Sequence, residues 1–174
     1  MAMSEPEVLN KVKEALDAFF RADISLLNVN ASERSIAHKL AQHLQRQFDE
    51  FNVDCEYNRH GSAIKRLNSH DDRAAVIDPS SGSPVLPDIV VHSRGDDRRN
   101  LLIIEIKKSN SRELREKDLK KLKNFTSSPY RYRHGLFLLF DIEGKRLSDV
   151  LHFSSGEEVE KELWAGLKEL GYAR

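Results

Sequence analysis

Two apolar runs in the middle of the chain set its pattern. Pro87-Asp88-Ile89-Val90-Val91-His92 and Leu101-Leu102-Ile103-Ile104-Glu105-Ile106-Lys107-Lys108 are rich in Ile and Val. Turn formers bound them, Ser83-Pro84 before the first and Arg94-Gly95-Asp96-Asp97 between the two. Such runs predict an antiparallel hairpin. If Ser93 and Asn100 close its turn, Asp88 falls directly opposite Glu105. Residues opposite each other on one sheet face have Cβ atoms about 5 Å apart, close enough for two carboxylates to share a divalent cation. Strand side chains alternate, so Glu105 and Lys107 share one face while Ile104 and Ile106 point into the core.

The rest of the pattern supplies elements around this hairpin. Ser4-Glu5-Pro6-Glu7 has the form of a capping box with proline at the first helical position, and Val8, Leu9, Val12, Leu16, Phe19 and Phe20 follow at helical spacing. A second helix is predicted from Asn30-Ala31-Ser32 to about Phe51, its stripe being Ile36, Ala37, Leu40, Ala41, Leu44, Phe48 and Phe51. Val53 to Asn58 reads as a strand. Residues 60 to 85 are polar and rich in Ser, Asp and Pro, with Ala74 to Ile77 as a candidate extra strand and Lys65, Arg66 and Arg73 as candidate nucleic-acid contacts. Arg112 to Phe125 predicts a helix with a thin face of Leu119, Leu122 and Phe125. Leu136 to Phe140 is a continuous apolar run of the kind that forms a fully buried strand. A short strand, Val150 to Phe153, and a last helix carrying Val159, Leu163, Leu167 and Leu170 complete the prediction.

A Pro-Asp, sixteen intervening residues, and Glu-Ile-Lys at the end of an apolar strand resemble the PD-(D/E)XK phosphodiesterase superfamily, which includes restriction endonucleases and Holliday junction resolvases. The resemblance implies an α/β, restriction endonuclease-like fold: an αβββαβ core over about residues 30–141, with a central mixed sheet flanked by helices and extra N- and C-terminal helices. It implies that Asp88 and Glu105 hold Mg²⁺, or Mn²⁺ in its place, with the backbone carbonyl of Ile106 as a third ligand, and that Lys107 is the catalytic lysine. An additional acidic ligand from the first core helix would be Glu33. The residue types suit the chemistry, because phosphodiester hydrolysis needs a hard cation and carboxylate oxygens are the ligands Mg²⁺ prefers.

Several residues keep two readings. Glu33 stands at capping-box spacing from Asn30, so it either caps the second helix or turns toward the site. Glu56 is a solvated strand charge or lines the site. The tyrosines of Tyr130-Arg131-Tyr132-Arg133 stack on bases or pack a loop. His38 and His43, five apart, fall on different helical faces and do not form a metal site together.

Charge and composition change this picture in one place. The chain is neutral, with 28 basic and 28 acidic residues among 174. Yet Lys107 to Arg133 carries ten basic residues against three acidic ones, and Lys117 and Lys121, one helical turn apart, are the candidate phosphate contacts. Cys55 is the sole cysteine, which rules out an internal disulfide and suits a buried thiol in a reducing cytoplasm. No apolar run approaches membrane-spanning length, and a single soluble cytoplasmic domain over 1–174 is expected. The expected function is a metal-dependent DNA endonuclease in repair, recombination or defence. The alternatives are a non-catalytic nucleic-acid-binding or assembly module on the same fold, and a cleavage subunit to which a second copy or another protein supplies specificity.

Overall fold

The structure, a computed structural model, describes residues 3–57, 59–60, 63–64, 66–67, 83–84, 86–113, 115–160, 162–168 and 170–171. The chain opens with helix α1 (Glu5–Ala22), the single turn α2 (Ser25–Asn28) and helix α3 (Glu33–Gln47). Strand β1 (Asn52–Cys55) follows, then four two-residue strands, β2 (Arg59–His60), β3 (Ala63–Ile64), β4 (Arg66–Leu67) and β5 (Ser83–Pro84). Next come β6 (Ile89–His92), β7 (Leu102–Lys108), helix α4 (Arg115–Thr126), β8 (His134–Asp141), β9 (Arg146–Ser154), β10 (Glu157–Glu158) and the turn α5 (Glu162–Ala165).

Six strands form one mixed sheet in the order β1-β6-β7-β8-β9-β10. β7 and β8 are parallel, joined by α4, and the other neighbours are antiparallel. The apolar run of β7 is long because both its faces are covered. Leu102, Ile104 and Ile106 pack with α1 and α3, in a core that includes Leu16, Phe19, Phe20, Leu40 and Phe140. Ile103 lies on the opposite face, packed with Leu122 and Phe125 of α4, Tyr130 and Tyr132. Two tyrosines weighed as base-stacking groups are therefore core residues, 4 % and 1 % exposed.

Local chemistry accounts for the helix starts. The Ser4 N–H donates to the Glu7 carboxylate at 2.6 Å ahead of α1, and the Ser35 N–H donates to Ser32 Oγ at 3.1 Å to begin α3. Ser32, not Asn30, is thus the cap of α3, and Asn30 takes a left-handed backbone (φ 51°) before it. α3 ends at Gln47 rather than Phe51, and Phe48 is buried where the chain turns toward β1. The C-terminal part departs most from expectation. β9 spans nine residues instead of four, Glu157–Glu158 pairs back against it, and the last helix is one turn, Glu162–Ala165. The candidate strand at Ala74 to Ile77 and the cations Lys65 and Arg73 lie outside the described residues. Cys55 is half-buried rather than fully enclosed, and burial pushes its thiol up to about 11. No helix among the described residues is long and apolar enough to cross a membrane.

Candidate active site

β7 outlasts its antiparallel neighbour. Pairing between β6 and β7 runs through Val91–Leu102 and Val90–Ile103 to Ile89–Ile104, the register that brings Asp88 opposite Glu105. Beyond Ile104 no strand among the described residues pairs with the edge of β7 that faces β6, and side chains bond there instead. The Ile106 N–H donates to Asp88 Oδ2 at 2.7 Å, and the Lys108 N–H donates to Glu33 Oε1 at 2.9 Å. On the other edge the sheet continues, with the Ser109 N–H donating to the Phe140 carbonyl at 2.8 Å. Alternation along the strand therefore turns the Ile106 carbonyl toward Asp88's edge. Glu33 is resolved by the same contacts: it faces β7 and caps nothing in its own helix.

Glu105 and Lys107 share the face under α4, where a chain of alternating charge links them. Lys121 Nζ lies 2.5 Å from Glu105 Oε2 and 3.2 Å from Asp118 Oδ1. Lys107 Nζ lies 3.0 Å from Asp118 Oδ2, 3.2 Å from Glu113 Oε2 and 3.5 Å from Glu33 Oε2. Burial sets the energetics. Glu105 is 1 % exposed, and its second oxygen, Oε1, has no hydrogen-bond partner. Desolvation, reinforced by the charge of Asp88, raises its pKa well above the usual carboxylate range, and Lys121 opposes only part of the rise. Desolvation also raises Asp88, with the Ile106 N–H and Lys121 working against it. For the lysines desolvation disfavours the charged form, but the carboxylates outweigh it. Asp118, Glu113 and Glu33 hold Lys107 above its ordinary value, and Glu105 and Asp118 do the same for Lys121.

Asp118 is the site residue that sequence reasoning missed. It sits at the head of the buried stripe Asp118, Leu122, Phe125 of α4. A carboxylate one turn before Leu122 on a face that must pack was the available signal. The two candidate phosphate contacts separate: Lys117 is exposed, whereas Lys121 is only 22 % exposed and sits against Glu105. Glu56 pairs with Arg34 at 2.7 Å. Asp88 and Glu56 line a cavity of about 600 Å³ with Leu26, Arg34, His38 and Cys55, which gives Asp88 access to solvent.

Whether these residues suit a hard cation can be judged from the donors. Two carboxylates, that of Glu105 with a buried oxygen that has no hydrogen-bond partner, and a carbonyl directed to the same edge make an all-oxygen set of the kind Mg²⁺ takes while keeping several waters. They fit. Glu33 does not close on Asp88 and Glu105: among the described residues the one group of three ligand atoms all within 4.8 Å of one another is Glu5, His134 and His152, elsewhere in the molecule. Compared with known proteins, the chain matches no family model and no curated protein at a significant level.

Proposed function

We propose that the chain is a Mg²⁺-dependent phosphodiesterase of the PD-(D/E)XK type, a nuclease that cleaves DNA internally in repair, recombination or defence. One observation carries the reading: a 1 % exposed Glu105, with an oxygen lacking any hydrogen bond, opposite Asp88 and two residues before Lys107. An oxygen left so in a buried carboxylate carries a desolvation cost of about 1–3 kcal/mol or more, which a cation would offset.

Asp88, Glu105 and the Ile106 carbonyl would hold the ion. Bound there, it would lower the pKa of a water and neutralise charge on the phosphate. The chain's own groups do the rest. Lys107 stays protonated among Asp118, Glu113 and Glu33, so it donates hydrogen bonds and positive charge where the transition state gains negative charge. Asp118 and Glu33 fix its direction. Lys121 supplies the positive charge beside Glu105 when no cation is bound.

The test is incubation of the pure protein with supercoiled, linear, single-stranded and branched DNA, with and without Mg²⁺ or Mn²⁺. Metal-dependent cleavage is expected in the wild type and should vanish in Glu105→Gln and Lys107→Ala. Wild-type protein that leaves every substrate intact in both metals, or a Glu105→Gln variant that still cleaves, overturns the reading.

A further inference from the structure

The sheet carries a second cluster of metal-ligating groups at its other end. The β8–β9 register pairs Leu136 with His152, which puts His134 diagonal to His152 on one face. That face packs under α1, and Trp164 closes it from α5. His134 pairs with Leu102 at the start of β7, three residues before Glu105 and so about 10 Å along the strand from it.

Both imidazoles are buried, 5 % and 3 % exposed, and His134 Nδ1 lies 3.2 Å from His152 Nε2. Glu5, from the first turn of α1, brings a carboxylate to them, and one ligand atom from each of the three residues lies within 4.8 Å of the others. The Trp164 indole N–H donates to Glu5 Oε1 at 2.8 Å, and the Trp164 ring stacks on His152 with centroids 4.8 Å apart and planes at 16°. Residues from α1, β8, β9 and α5 thus meet at one point.

We propose that Glu5, His134 and His152 form a binding site for a late first-row divalent cation, Zn²⁺ in particular, that ties the N-terminal helix to the sheet. Two nitrogens on one tetrahedral Zn²⁺, each about 2.0–2.1 Å from it, lie about 3.3 Å apart. The 3.2 Å separation already matches that spacing. A hydrogen held between the two nitrogens would move to the far nitrogen of its own ring as the ion binds, which leaves both lone pairs for the ion with no net proton released. Two imidazoles and one carboxylate are a donor set for Zn²⁺ rather than Mg²⁺, and three protein ligands leave a fourth position for water. The indole N–H on Glu5 is the outer hydrogen bond that orients a metal-binding carboxylate. A cavity of about 540 Å³ lined by Glu5, Thr126, Tyr132, His134 and Ser154 provides the entry path. This site is independent of the proposed nuclease centre.

Trp164 is the protein's only tryptophan, so it reports on the site directly. The experiment is a titration of the chelator-treated full chain with Co²⁺, read by tryptophan fluorescence and visible absorption. Expected are equimolar, saturable quenching with ligand-field bands, reversal by Zn²⁺, and indifference to excess Mg²⁺. Asp88→Asn should titrate like the wild type. Glu5→Gln and His134→Gln should each weaken the quenching roughly 10-fold or more, at least as much as loss of an outer hydrogen bond does. Absence of saturable quenching in the wild type overturns the proposal, and so does quenching lost in Asp88→Asn or unchanged in both Glu5→Gln and His134→Gln. The wild-type titration decides alone if either variant does not fold.

Discussion

Glu105 and Asp88 keep their protons longer in the folded protein than in the unfolded chain, because burial raises both. The stability they contribute is therefore complete below about pH 4, where both states are protonated, and is lost as pH rises through the raised folded values. Glu105→Gln keeps the shape and removes the ionisation. It should melt close to the wild type near pH 4 and above it at pH 8 in chelator, and a Gln variant less stable at pH 8 would mean that the Lys121 pair outweighs burial. Asp88→Asn separates structure from metal binding. An asparagine carbonyl still accepts from the Ile106 N–H, and one of two neighbouring like charges is gone, so metal-free stability should be equal or higher. The gain from Mg²⁺ should disappear with the ligand, a gain of about 2.7 kcal/mol in the wild type at a hundredfold excess over Kd. Thermal melts with chelator and with Mg²⁺ read both effects; a destabilised variant, beside a wild type that Mg²⁺ does not move, makes Asp88 structural.

At the scale of elements, the site exists because β7 runs four strand positions, Glu105 to Lys108, beyond the pairing β6 offers it. Lys121 from α4 then has a defined part, the positive charge over a carboxylate that is almost wholly buried. Lys121→Ala should destabilise the protein by roughly 1–3 kcal/mol at pH 8 and by less toward pH 4, where a protonated Glu105 needs no partner. Urea melts at the two pH values check this, and a loss that does not depend on pH would point to packing instead. The hairpin and its register were legible in the sequence because a period of two and a turn of known position fix which residues oppose. Helix α3 and the β8 core strand were legible for similar reasons, long periodic or continuous apolar runs. Asp118 was hidden because an acid on a charged helix looks like solvent-facing surface until α4 is laid on the sheet. The group of Glu5, His134 and His152 was hidden more deeply, since its members come from three elements and only the β8–β9 register brings the histidines together. The short last helix and long β9 escaped because Glu157–Glu158 pairs back on β9 ahead of the helix, and beyond Ala165 the backbone closes three-residue turns, the Leu167 N–H donating to the Trp164 carbonyl and the Lys168 N–H to the Ala165 carbonyl, although Leu163 and Leu167 keep helical spacing.

Across the whole molecule, charge divides into a part spent inside and a part left facing solvent. The chain is neutral, yet the segment from Lys107 to Arg133 is strongly basic. Lys107 and Lys121 are taken up by buried carboxylates, whereas Lys117, Lys120 and Lys123 are exposed along α4. A phosphate backbone passing the site would meet these three, and each contact releases counterions, so log K against log salt should fall by about one unit of slope per contact. Lys117→Ala and Lys120→Ala should each flatten that slope by about one with no change in stability, surface charges of this kind usually being worth within ±0.5 kcal/mol. Lys121→Ala should lower stability and leave the slope alone. DNA-binding titrations at several salt concentrations, run in Ca²⁺ to limit cleavage, distinguish the two classes of lysine. Equal slopes for the wild type and for Lys117→Ala and Lys120→Ala would mean that nucleic acid approaches from another face, and that α4 serves only to cover the sheet and hold Glu105 and Lys107 in place.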